Sequence, residues 1–161
     1  MSRPPVLLFA AVAGLAAVLA GCGGKAVSKE DYVQALATPL GQVDAALTLM
    51  VGKSPNELAA AAAQTRQGLL AAAGTIEAIE PPERLFEAHS LLVEGIRGLA
   101  GEVGDLARQS PSAEISDMLD RIEKLPSVAK LQQAEGLFAR EDVTLEIGST
   151  LLPASVPAET G

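Results

Sequence analysis

The sequence predicts an all-α fold, an up-down antiparallel bundle of about four helices after an N-terminal signal helix. Three observations carry this. Apolar residues recur at alternating steps of four and three over long segments, the period of one buried helix face. Short turns marked by Pro and Gly separate the segments, which makes successive helices antiparallel neighbours. A capping signal before the second segment fixes where a helix begins. The expected division is residues 1–21 as a signal segment, 22–28 as a tether, 29–140 as the bundle domain and 141–161 as a partly mobile tail.

Arg3 is the only basic side chain before Lys25, and Val6 to Leu19 carry no polar side chain. That run suits a secretory signal and falls short of the roughly 20 apolar residues that span a bilayer. Small Ala20 and Gly21 follow, then Cys22, the only cysteine. In an exported chain a lone cysteine has no intramolecular partner, so its thiol calls for another use. Leu19-Ala20-Gly21-Cys22 resembles the lipobox of bacterial lipoproteins at all four positions. The resemblance implies that a signal peptidase reads Leu19, Ala20 and Gly21 and cuts before Cys22. It also implies that the Cys22 thiol carries a diacylglyceryl group, with the new α-amine often acylated, for example by palmitate. Each buried methylene contributes about 0.8 kcal/mol, so one chain holds weakly and two or three hold firmly. The expected location is the extracytoplasmic face of the cell membrane. Arg3 is followed by Pro4, so there is no twin-Arg pair and export of the unfolded chain is expected. Gly23 to Ser28 form a Gly-led tether that reaches at most about 20 Å when extended.

Ser28 is placed to cap the first helix, with Asp31 as a partial return half of a capping box. Val33, Leu36, Leu40, Val43, Leu47 and Met50 form its stripe. Pro39 lies inside it and is expected to kink or split the helix. Gly52 and Lys53 close the segment. Ser54-Pro55-Asn56-Glu57 is the clearest helix start, with Ser54 as N-cap, Pro55 at the first helical position and Glu57 completing a capping box. Its stripe is Leu58, Ala62, Thr65, Leu69, Ala72, Ile76 and Ile79, and Glu80-Pro81-Pro82 ends it. The third helix starts at Pro82 or Glu83. Its stripe is Leu85, His89, Leu92, Ile96, Leu99, Val103 and Leu106, widened by Phe86, Val93 and Ala100. A fourth helix is expected from Ser112 to Lys124, with Ile115, Met118, Leu119 and Ile122 inward. After Pro126, the residues Val128, Leu131, Ala134, Leu137 and Phe138 make a last amphipathic piece. Alternation at Val143, Leu145 and Ile147 suits a short extended segment packed on the bundle.

Without residues 1–21 the side-chain balance is 11 basic against 20 acidic, since Arg3 leaves with the signal. So acidic a chain does not bind nucleic acid by charge. There is no Trp, and Tyr32, Phe86 and Phe138 are the only aromatics after the signal segment, so a stacking platform for sugars or bases is not expected.

His89 is the only histidine and lies within an apolar stripe. Its helical neighbours three and four residues away are Leu85, Phe86, Leu92 and Val93, so no metal motif is readable. It is expected to be a half-buried histidine bonded to a backbone group or hydroxyl, with Thr65 as candidate partner, and is the one weak ligand candidate. Pro81-Pro82, six residues, His89, two residues and Leu92 resemble a pattern in small exported helical proteins of high-GC bacteria; the resemblance carries no site. Gly95, Gly98, Gly101 and Gly104 recur every third residue and read as a tolerated weakening of the helix, against a close-approach surface or flexible half-helix that binds a partner as the alternative. Glu77, Glu80, Glu83 and Glu87 read as a solvated acidic face, and Asp117–Arg121 and Asp120–Lys124 as surface pairs.

No catalytic constellation, cofactor motif or metal site is legible, so a non-enzymatic protein is expected. The functional expectation is a membrane-anchored extracytoplasmic lipoprotein whose bundle is an interaction or structural module. Its partners would be the membrane through the anchor and another envelope or exported protein. The stripes also allow a homo-oligomer. The alternative is a carrier that holds a small ligand or metal in a bundle cavity near His89.

Overall fold

The computed structural model describes residues 27–109, 121 and 124–145. Four helices run through the described residues: α1 Lys29–Thr48, α2 Pro55–Glu77, α3 Phe86–Gln109 and α4 Pro126–Arg140. The all-α class is as the apolar period predicts. The signal segment, Cys22, the tether before Val27, the pairs built on Asp117 and Asp120, and the tail beyond Leu145 lie outside the described residues. So does the expected fourth helix, apart from Arg121, which is helical, and the turn at Lys124.

Neighbouring helices alternate in direction. Thr65 in the middle of α2 donates to the Ala46 carbonyl near the end of α1 at 2.8 Å. Glu77 at the end of α2 meets Arg97 in the first half of α3. Glu94 on α3 pairs with Lys130 on α4 at 2.8 Å, while Glu102, two turns further along α3, reaches back to Ser127 at the α4 start. One end of the bundle therefore gathers the start of α1, the end of α2, the start of α3 and the end of α4. There Lys29 Nζ donates to the Glu141 carbonyl at 3.0 Å, and Tyr32 stacks on Phe138 with ring centroids 6.3 Å apart.

Local sequence explains the helix boundaries. The Ser28 hydroxyl accepts from the Asp31 amide at 3.1 Å, capping α1. At α2, the Glu57 carboxylate accepts from the Ser54 amide at 3.1 Å and from its hydroxyl at 2.6 Å. Those bonds hold the Glu57 carboxyl below its ordinary range. Pro55 opens α2 and Pro126 opens α4, where a proline lacks no needed hydrogen bond. Of the kink or split expected at Pro39, the split does not occur. The α1 helix continues across it, and Pro39 is buried, so core packing offsets the one missing bond. The third helix differs at its start, since a 3-10 turn, Glu83–Leu85, precedes α3.

The core follows the four-three stripes closely. Leu36, Val43, Leu69, Ala72, Ile76, Leu92, Ile96 and Val103 are all buried. Three positions shift. Tyr32 takes the inner place expected of Val33, which is half-buried, and Ile79 and Leu137 lie at the core margin. Phe86 departs fully. It was expected beside Val93 and Ala100, yet it is 65 % exposed. The row is right in phase, but Phe86 is the first residue of α3 and stays uncovered at the end of the bundle.

The α4 end shows why Val143 is buried. The Val143 amide bonds the Phe138 carbonyl at 3.0 Å and the Asp142 amide bonds the Ala139 carbonyl at 3.1 Å, with Asp142 at φ 55°. This is a Schellman turn, which brings Val143 back toward Phe138. Leu145 also packs on the core, without regular strand structure. Asp142 is the only non-glycine residue at positive φ among the described residues. Asp142→Gly should therefore raise unfolding free energy by about 0.5–1 kcal/mol, read as a higher urea midpoint at unchanged m-value.

Candidate functional site

His89 is 6 % exposed and sits one turn into α3, at the bundle end that Tyr32 and Phe138 also share. Its Nδ1 lies 2.8 Å from the Tyr32 hydroxyl, with the two rings tilted 56° to one another. The expected partner, Thr65, is instead committed to the Ala46 carbonyl. Phase alone put Thr65 on the right face. It lies three turns from the end of α2 that meets His89, because α2 runs antiparallel to α3.

Chemistry fixes the proton between Tyr32 and His89. Tyr32 is fully buried, and burial pushes its phenol well above the ordinary 10.0, so the hydroxyl stays protonated. Nδ1 is its sole acceptor among the described residues. A buried hydroxyl that failed to donate would cost about 1–3 kcal/mol. Tyr32 therefore donates, Nδ1 accepts, and the neutral imidazole carries its proton on Nε2.

That second nitrogen has no protein partner among the described residues. His89 contributes to the lining of an open surface groove of about 480 Å³, bounded by the end of α2, the Pro81-Pro82 turn and the first turns of α3. Ile79, Pro81, Phe86 and Val93 make its apolar wall. Glu77 and Arg97 lie along it as a bidentate pair, with the Nη1–Oε1 contact at 2.8 Å. The Arg97 guanidinium holds the Glu77 carboxyl below the usual carboxylate range, and Glu77 in turn raises Arg97. Glu94 is lowered likewise by Lys130. Glu80 is exposed at the rim, and Glu83 and Glu87 are exposed nearby, as expected of a solvated face.

The same geometry sets a pH dependence. Burial pushes the His89 pKa below its ordinary 6.5, and the nearby Glu77 carboxylate opposes this. In the unfolded chain His89 would take up a proton near its ordinary value, which the folded chain resists. Unfolded protein then binds more protons, so stability is full above that value and falls as pH drops through it. The lowered carboxylates Glu57, Glu77 and Glu94 act in a lower window, starting below 4.5. The urea midpoint should thus fall between about pH 7.5 and about pH 5.5, and His89→Gln should flatten that slope.

The stripe of glycines separates into two kinds. A Cβ at Gly95 would meet Leu131 Cδ2 at 2.7 Å, and one at Gly98 would meet Ser127 Cβ at 3.0 Å. At Gly101 nothing lies within 4 Å. The first two are a close-approach surface, but α4 of this same chain, not a partner, occupies it. Gly101 fits the tolerated weakening.

No group of three or more potential metal ligands occurs among the described residues. Sequence reasoning missed Tyr32 as the partner of His89. The available signal was its polar hydroxyl one residue from the apolar stripe, at the end of the bundle that antiparallel packing shares with His89. Comparisons with protein-family models, with curated proteins and with solved structures each find no match for this chain.

Proposed function

We propose that this protein is an extracytoplasmic lipoprotein, moored to the cell membrane through Cys22, whose bundle is a non-enzymatic interaction module. The observation that carries this is Leu19-Ala20-Gly21-Cys22 closing an apolar run that is too short to span a bilayer. No helix among the described residues is long and apolar enough to cross a membrane. The space beside His89 is an open groove with an exposed Phe86, a form that suits a partner better than an enclosed small-molecule carrier. An anchor at Cys22 would hold the His89 end of the bundle toward the bilayer, since α1 begins at Lys29.

Cys22→Ala is the direct test. In cells fed a labelled fatty acid, the parent chain should carry label and sediment with membranes. The variant should lose the label completely, because the thiol that carries the lipid is gone. Equal labelling of both chains would sink the proposal.

A further inference from the structure

We propose that the groove beside His89 docks a peptide segment of basic and apolar side chains, one of whose backbone carbonyls accepts the Nε2–H of His89. This rests on the interaction-module reading and names its surface and its partner chemistry. His89 is more than nine-tenths buried yet lines the groove, and its Nε2–H has no protein partner among the described residues. A donor held in place by the Tyr32 bond beside an apolar wall is set to meet an acceptor on whatever docks there.

Three steps narrow the acceptor. A metal ion is disfavoured. To ligate it, Nε2 would have to release its proton, Nδ1 would have to carry one, and the buried Tyr32 hydroxyl would lose its acceptor. An anion is disfavoured too. Glu77 and Arg97 engage one another and Glu94 is held by Lys130, which leaves Glu80 as the groove's carboxylate outside these ion pairs and no lining cation outside them. What fits is a neutral carbonyl flanked by cations. The wall of Ile79, Pro81, Phe86 and Val93 then asks for an apolar side chain, and Phe86, at 65 % exposed, is the surface with most to gain from cover. A peptide supplies carbonyl, cation and apolar group at repeating short intervals. The groove's 480 Å³ lies within the range of ligand sites, about 300–1,000 Å³. An anionic bilayer would be repelled by the same carboxylate.

The only histidine in the chain is its own reporter. Full-length protein in non-ionic detergent, labelled with ¹⁵N-histidine, is titrated with three seven-residue probes: alternating Lys and Leu, alternating Glu and Leu, and alternating Lys and Ser. The Lys/Leu peptide should shift the Nε2 resonance saturably, and the other two should leave it in place. Phe86→Ala, at an exposed position that does not endanger folding, should weaken binding by about tenfold or more. Glu80→Gln should weaken it several-fold and reduce its salt dependence. Equal binding of the Glu/Leu peptide overturns the proposal. So does Lys/Leu binding that leaves Nε2 unmoved or is indifferent to Phe86→Ala. Zn²⁺ alone displacing the Nε2 proton would assign the groove to metal instead, and overturns it as well. The outcome is separable from the anchor. An unlipidated chain can still bind the peptide, and a lipidated chain that fails the titration loses only the role of the groove.

Discussion

Tyr32→Ala should cost about 3–5 kcal/mol of folding free energy, the loss expected for truncating a large buried aromatic side chain. The size follows from what the ring joins. Tyr32 stands one turn into α1, is fully buried, stacks on Phe138 of α4 and donates to His89 of α3. Three helices meet through one side chain, at an end where α1 and α4 otherwise share the Lys29–Glu141 bond. A domain of this size is stable by about 5–15 kcal/mol in all, so the variant should unfold at a much lower urea concentration. Tyr32→Phe separates packing from polarity. It keeps the ring and removes the donor, which leaves Nδ1 of His89 unpaired at a cost of about 1–3 kcal/mol. It should also raise the His89 pKa, because a hydrogen bond that only the neutral imidazole can accept is gone. A His89 titration unchanged by Tyr32→Phe would contradict the assigned tautomer.

Much of the fold is legible because burial on a helix is a matter of phase. The stripes from Leu58 to Ile76 and from Leu85 to Leu106 need only a period and a boundary, and Ser54-Pro55 and Pro81-Pro82 supply the boundaries. What phase cannot supply is where a neighbour stops. Phe86 shares its row with buried Val93 and Ala100, but it is the first residue of α3, and the aromatic ring is left to wall a groove. Pro39 shows the converse. Local propensity argues for a break, yet the residue is buried in a continuous helix, because packing outweighs one lost hydrogen bond. The site was half legible. His89 could be singled out as a buried polar residue on an apolar stripe. Its pairing with Tyr32 joins residues 57 positions apart, so it depends on which bundle ends coincide rather than on spacing.

Gly95→Ala and Gly101→Ala should have opposite signs, although both replace a glycine in the interior of the same helix. Steps of three residues turn an α-helix by about 300°, so successive glycines retreat by about 60° around α3. Gly95 and Gly98 consequently face Leu131 and Ser127 of α4, Gly101 faces open space, and Gly104 has come round toward Arg66 of α2. At Gly95 a Cβ would lie 2.7 and 2.8 Å from the Leu131 side chain and 3.3 Å from the Leu131 backbone nitrogen. Leu131 is 3 % exposed and has little room to swing aside, so α4 itself must back away from α3. Overpacking of this kind costs about 1–3 kcal/mol, against a gain of at most about 1 kcal/mol in helix propensity. Gly101→Ala meets no atom and should keep its whole gain, about 0.5–1 kcal/mol. Urea midpoints that move apart in this way identify the α3–α4 contact as the reason for Gly95. Midpoints that rise together would mean that α4 sits further from α3 than the packing at Leu131 requires.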